Sequence, residues 1–273
     1  MQSTAGTCSL HDTFKSLRAQ NRIGLVPFLP AGFPDLETTA AGMLALQAGG
    51  ASVIEIGIPF SDPVADGPVI QEAFTAALAR KVKVADVFRT LSSVRPKLSI
   101  PVVGMLSYSI VFRYGVDKFV GDAKSAGFDG LILPDLPPPE AEAICLKVRA
   151  AGLDTILLVA PTTTAERRKQ IAQLSSGFVY YLSVAGITGE RDQLPPDLAA
   201  KVRDLKQLSD RPVCVGFGIH TPRHIAQLAG IADGAIVGTA YVRRIKDHLN
   251  EGPTRISRIL ETYTRELLSE VRN

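Results

Sequence analysis

The stretch SVIEIGIPFSDPVADGP, residues 52–68, runs from a short β-branched segment through a loop built on Gly and Pro into the start of a helix. The first part is nearly all apolar, as befits a parallel strand covered on both faces, which has no water-facing side to alternate toward. The same passage recurs along the chain. Strand segments are expected at Ile23 to Leu29, Ser52 to Ile56, Ile100 to Met105, Gly130 to Leu133, Thr155 to Ala160, Phe178 to Leu182, Pro212 to Val215 and Ala235 to Val237, with helical patterns between them. After the first, Asp35 is placed to cap a helix in which Leu36, Ala40, Met43 and Leu44 share one face and Gly49-Gly50 make the stop. Near the end, Ile256, Ile259, Leu260, Tyr263 and Leu267 form another 3.6-residue stripe, expected to dock outside the strands.

This order is that of the α/β class. A doubly wound open sheet uses the same order, but eight strands is the number that closes a barrel. The expectation is therefore a (β/α)8 TIM barrel spanning residues 1–273 as a single domain, with additional N- and C-terminal helices. In either architecture chemistry belongs just beyond the carboxyl ends of the strands.

The 273 residues are 46% hydrophobic and 21% charged, enough core-forming material for such a domain, and the net charge of +3 comes from dispersed basic residues. Nucleic-acid binding gains no electrostatic support from that distribution. Met1 to Leu10 carries neither a basic nor an apolar leader pattern, and no run of about 18 apolar residues occurs, so a soluble, non-membrane, cytoplasmic protein is expected. Cys8, Cys145 and Cys214 are odd in number and widely spaced, which suggests neither a disulfide framework nor a metal site.

Within the opening stretch, period-two alternation turns Val53 and Glu55 one way and Ile54 and Ile56 the other, so that Glu55 is a candidate to enter the barrel mouth. Either it does chemistry there or a neighbouring polar group satisfies it. Asp66, just before Gly67-Pro68, reads first as a helix N-cap, and Asp62 as a turn residue. Asp135, in LPDLPPPE, has turn and capping roles open to it, while Tyr108 and Tyr180 read as packing residues. Three late glycine segments, GITG (186–189), GFGI (216–219) and GTA (238–240), suit an anion cradle in which backbone N–H groups and a helix starting near Thr239 meet a phosphate. No complete GxGxxG and no GxxxxGK[ST] is present, so a small phosphorylated metabolite fits better than a nucleotide. His220 and His224 have the i,i+4 spacing of metal ligands, but Thr221-Pro222 marks a helix start between them. The residues give no support to a metal, and no GxSxG elbow supports a serine triad.

Four motifs together, VPFLPAGFP from Val26, EIGIPFSDPVADGP from Glu55, SVAGITG from Ser183 and GFGI from Gly216, resemble those of the tryptophan synthase alpha chains over essentially the whole sequence. The resemblance implies cleavage of indole-3-glycerol phosphate to indole and glyceraldehyde 3-phosphate. It also implies a beta-chain partner that carries pyridoxal phosphate and uses the indole, in an alpha2beta2 assembly, with no cofactor in this chain. By the same resemblance Glu55 is the general acid/base and Asp66 the second catalytic carboxylate. Phe28, Leu106 and Val159 help enclose the indole ring, Tyr180 lies close to the catalytic carboxylates, and Thr188 meets Asp66 from a closing loop. Gly189, Gly218, Gly238 and Thr239 hold the phosphate. Asp62, Tyr108, Ser109 and Asp135 fall on the partner side. Two positions depart from the family: Val184 where an Arg is frequent, and Tyr108-Ser109-Ile110 where Tyr-Asn-Pro is frequent. A stand-alone lyase and a mainly regulatory subunit are the other readings considered, and intact Glu55 and Asp66 argue against the second.

Overall fold

A computed structural model describes residues 9–61, 66–182, 194–216 and 218–271. Eight parallel strands, β1 (Gly24–Pro30), β2 (Ile54–Gly57), β3 (Val102–Met105), β4 (Gly130–Ile132), β5 (Asp154–Val159), β6 (Val179–Leu182), β7 (Val213–Gly216) and β8 (Gly234–Val237), follow one another around a closed barrel. β8 returns to β1 through the register Leu25 to Ala235 and Val26 to Ile236. The strand bounds agree with the sequence pattern to within two residues. Closure, left open between barrel and open sheet, is settled by that last pairing.

Helices outside the barrel and packed side chains inside it explain why the strands are mostly apolar: β1, β2, β3 and β7 are buried at every position. The helix Leu36–Gly49 begins as expected, with Asp35 Oδ1 accepting from the Thr38 N–H at 2.7 Å and Gly50 closing it in the left-handed region at φ 105°. Its buried face differs from the predicted stripe. Thr38, Thr39, Gly42, Ala45 and Gly49 are buried alongside Met43, while Leu36, Ala40 and Leu44 are only partly covered. The reason is a second neighbour: the helix lies between the barrel and the C-terminal helix Gly252–Leu267. A Cβ on Gly42 would come within 3.1 Å of Leu29 and 3.3 Å of Leu260, and one on Gly49 within 2.5 Å of the Thr264 Cβ. Small residues let the two helix axes approach, so an apolar stripe alone does not mark this face.

The N-terminal helix Leu10–Ala19, capped by Ser9, lies across the amino end of the barrel. Phe14 stands edge-on to Phe178 at 5.8 Å, and Cβ atoms on Gly24, Gly177 and Gly234 would crowd Leu17, Leu10 and Phe14 respectively. Arg18 Nε donates to Asp233 Oδ1 at 2.8 Å, while Asp233 Oδ2 accepts from the Val213 N–H. Burial pushes the Asp233 carboxyl up, but the Arg18 and Val213 hydrogen bonds and nearby Lys206 outweigh it and hold the group below its usual range. Among the described residues no helix is long and apolar enough to cross a membrane.

Candidate active site

Glu55 sits on β2 between Phe28 of β1 and Val103 of β3. Its inward direction follows from the alternation it shares with Gly57, where a Cβ would strike the Phe28 ring at 2.4 Å. The side chain is 1% exposed and, among the described residues, Oε2 has no hydrogen-bond partner. An ionised carboxylate so buried is poorly solvated, and burial, and secondarily the charge of Asp66, push Glu55 up to about 8.

Asp66 is 9% exposed at the foot of the helix Pro68–Ala79. The N-cap of that helix is Gly67, with no side-chain capping bond, so the capping role open to Asp66 in the sequence is not the one it fills. Gln71 Nε2 donates to the Asp66 backbone carbonyl at 2.8 Å and ties the loop end to the helix. Burial pushes the Asp66 carboxyl up to about 6, below Glu55.

Tyr180 on β6 completes the group. Its phenol is raised well above its ordinary value by burial and then by the charges of Glu55 and Asp66, which places all three within one electrostatic neighbourhood. The ring lies against β7 where Gly216 has no side chain: a Cβ there would stand 2.5 Å from the ring. In register with Tyr180 on β5 is Leu158, half-buried like Tyr180, whereas Val159 pairs with Tyr181 and is fully covered. Alternation thus puts Leu158 on the face of Tyr180 and Val159 on that of Tyr181.

The apolar wall extends from Phe28, whose ring centroid is 6.3 Å from that of Phe74. Leu106, directly after β3, is fully buried. At the end of β8 a Cβ on Gly238 would find Ile70 at 3.7 Å and Phe28 at 3.8 Å, so the β8 turn, the β1 wall and the helix after Asp66 meet there. Ile70 and Phe74, not anticipated from the sequence, occupy the inner face of the helix that Asp66 precedes. After β7, Gly218 holds φ 79°, a backbone that glycine alone adopts freely, and after β8 Thr239 is the first residue of the helix Thr239–Asp247. Free N–H groups at such a start favour an anion. Asp62, Val184, Thr188 and Gly189 lie outside the described residues.

On the same rim, Tyr108 opens the helix Tyr108–Tyr114 and Asp135 follows β4. Asp135 accepts from the Tyr108 N–H at 2.7 Å and from Ser107 Oγ at 2.6 Å, so it ties two rim loops together. The Tyr108 hydroxyl donates to Glu140, a partner the sequence did not reveal, and burial followed by that bond pushes the phenol up to about 12. Ser109 faces solvent, and Phe112 is 68% exposed with its ring 6.3 Å from that of Tyr108. His220 and His224 are adjacent, with ring centroids 4.9 Å apart, but among the described residues no group of three or more His, Cys, Asp or Glu side chains is arranged to hold a metal.

The family model of the tryptophan synthase alpha chain matches residues 14–271. The chain belongs to the tryptophan synthase alpha-chain family. A tryptophan synthase alpha chain of Rhodopirellula baltica is 48% identical over 242 residues, 87% of each chain, and one of Synechocystis is 42% identical over 259 residues, covering 94% of this chain and 97% of that one. Among solved structures, tryptophan synthase of Mycobacterium tuberculosis superposes with a TM-score of 0.87 at 40% identity, over 98% of this chain and 100% of that one. The alpha subunit of the hyperthermophile Pyrococcus furiosus does so with 0.82 at 36% identity, over 90% and 98%. An alpha chain of tryptophan synthase cleaves indole-3-glycerol phosphate, and the chain is accordingly an enzyme of tryptophan biosynthesis.

Proposed function

We propose that this alpha chain acts as a carbon–carbon lyase on indole-3-glycerol phosphate through Glu55 and Asp66, and that it passes the indole to a beta chain. The observation that carries the reading is the burial of both carboxyls, Glu55 on β2 and Asp66 at the foot of the helix Pro68–Ala79, close enough for the charge of one to act on the other, with proton affinities set apart at about 8 and about 6. Near neutrality Glu55 holds its proton and Asp66 does not.

Cleavage needs a proton delivered to indole C3 and a proton removed from the glycerol hydroxyl that becomes the aldehyde. Glu55 as a neutral acid supplies the first. The carboxylate left behind takes the second, which restores the starting form and balances the protons. Protonation at C3 makes the ring N–H more positive, and an ionised Asp66 accepting from it stabilises the transition state more than the ground state. Phe28, Leu106 and Val159 supply apolar walls for the ring, with Tyr180 close to the carboxylates and Leu158 beside it on the same face. Gly218, Gly238 and Thr239, joined by Gly189, supply the phosphate cradle. Thr188 closes toward Asp66 when the loop covers the site.

Tyr108, Ser109 and Asp135, with Asp62, form the edge offered to a beta chain in an alpha2beta2 assembly. The steps above use only side chains of this chain, so the pyridoxal phosphate is assigned to that partner. We place the enzyme in the cytoplasm as one barrel domain. Incubation of the purified chain with indole-3-glycerol phosphate, assaying indole and glyceraldehyde 3-phosphate with and without a beta chain, tests the reading. Equal formation of both products, raised by the beta chain, supports it; failure to form either with the partner present refutes it.

A further inference from the structure

The loop that follows β7 is held from three sides by groups that the reaction itself does not require. His220 Nδ1 lies 2.8 Å from the Gly218 carbonyl oxygen. A carbonyl only accepts, so this ring nitrogen is the donor. The His220 N–H in turn points to His224 Nδ1 at 3.4 Å, and the His220 carbonyl accepts from the Tyr263 hydroxyl at 2.8 Å. Tyr263 belongs to the C-terminal helix and is itself covered by the Arg244 guanidinium, 3.2 Å above its ring. Arg244 comes from the helix that Thr239 begins.

Gly218 at φ 79° has the freest backbone in this turn, and without a brace its peptide can rotate. A hydrogen bond to its carbonyl fixes the following peptide plane, and because N–H and C=O of a trans peptide point in opposite directions, it turns the Ile219 N–H away from His220. The two glycine-bearing turns of the phosphate cradle are thereby joined through one chain of contacts, Gly218 to His220 to Tyr263 to Arg244.

We propose that His220 is a positioning residue for phosphate binding, acting through its Nδ1 donor on the Gly218 carbonyl and never touching the substrate. The inference rests on the reading of Gly218 as part of the cradle. Loss of the brace weakens the hold on phosphate without touching the carboxyls, so the effect falls on KM rather than on kcat.

The test uses the full chain with its beta partner. His220→Ala is expected to raise KM for indole-3-glycerol phosphate about fivefold, the worth of one hydrogen bond, with kcat within about twofold. Inhibition by glycerol 3-phosphate weakens by the same factor, and inhibition by indole, which has no phosphate, does not change. His220→Asn is expected to recover most of the loss, since its amide nitrogen occupies the place of Nδ1. His220→Gln, whose amide reaches the place of Nε2, is expected not to.

Equal recovery by Asn and Gln, or a fall in kcat with KM unchanged, overturns the proposal. Gly218→Val separates it from the reading beneath it. If that variant keeps normal inhibition by glycerol 3-phosphate, the cradle itself is wrong. If it abolishes inhibition while His220→Ala changes nothing, only the role of His220 fails. Thermal unfolding of each variant identifies one that has not folded, in which case Tyr263→Phe, which frees the His220 carbonyl, carries the same KM test.

Discussion

Asp66 and Glu55 are both buried, and a negative charge on Asp66 adds to the burial that makes one on Glu55 hard to hold, so the two lose their protons apart, at about 6 and about 8. The productive form has Asp66 ionised and Glu55 protonated. Below about 6 Asp66 is neutralised and no longer accepts from the indole N–H; above about 8 Glu55 has no proton to give. The profile of kcat/KM against pH is therefore expected to be a bell with limbs near those values, belonging to the coupled pair. A profile flat across this range contradicts the assignment.

Glu55→Gln is expected to lower kcat by about two to four orders of magnitude while the barrel folds. The same variant reports on stability. The folded pKa of Glu55 is raised above its ordinary 4.5, so its contribution is fully present below that value and is lost as pH rises through about 8. Wild-type melting temperature should accordingly fall on going from mildly acidic to alkaline solution. The glutamine variant, with no proton to lose, should fall less, by an amount on the order of a few kcal/mol at the alkaline end. Near-normal cleavage, or identical pH dependence of melting, counts against the role given to Glu55.

The phosphate cradle depends on backbone more than on side chains. Thr239→Ala removes one hydroxyl and is expected to raise KM by less than about tenfold, in line with one hydrogen bond. Gly218→Val places a branched side chain at φ 79° and is expected to do far more damage to substrate affinity. Steady-state kinetics on both decide the point, and equal, negligible effects dispose of the cradle.

Gly49→Ala tests the fit between the helices Leu36–Gly49 and Gly252–Leu267. The new Cβ would meet Thr264 Cβ at 2.5 Å and the Glu261 carbonyl at 2.9 Å, neither of which is the far end of a flexible chain. A loss of about 1–3 kcal/mol is expected in urea unfolding, with kinetics unchanged because the contact is remote from the strands' carboxyl ends. A variant as stable as the parent shows that the helices have room to part.

The barrel was legible because its strands are short, apolar and punctuated, and those properties follow directly from parallel pairing under helices. Glu55 was legible too, since alternation around Ile54 and Ile56 fixed which way it turned. Asp66 was ambiguous, because an aspartate before Gly-Pro has the same pattern whether it caps a helix or stands free; only the position of Gly67 as the cap separates the two. The facing of Val159 was not legible, because a buried run such as Leu157-Leu158-Val159 has no polar marker to tell inward from outward. The Tyr108 to Glu140 bond and the brace from Tyr263 to His220 join residues 32 and 43 positions apart, and no local spacing encodes such meetings. The face of Leu36–Gly49 misled for a related reason: glycine and alanine mark close approach rather than hydrophobic attraction.

The helix Leu10–Ala19, locked by Arg18 to Asp233 beneath the strands, leaves the barrel with a floor. At the opposite end, among the described residues, stands the rim of Tyr108, Asp135 and Phe112. A protein seated on that rim would stand over the open end, and a tunnel opening in its underside would turn escape into delivery.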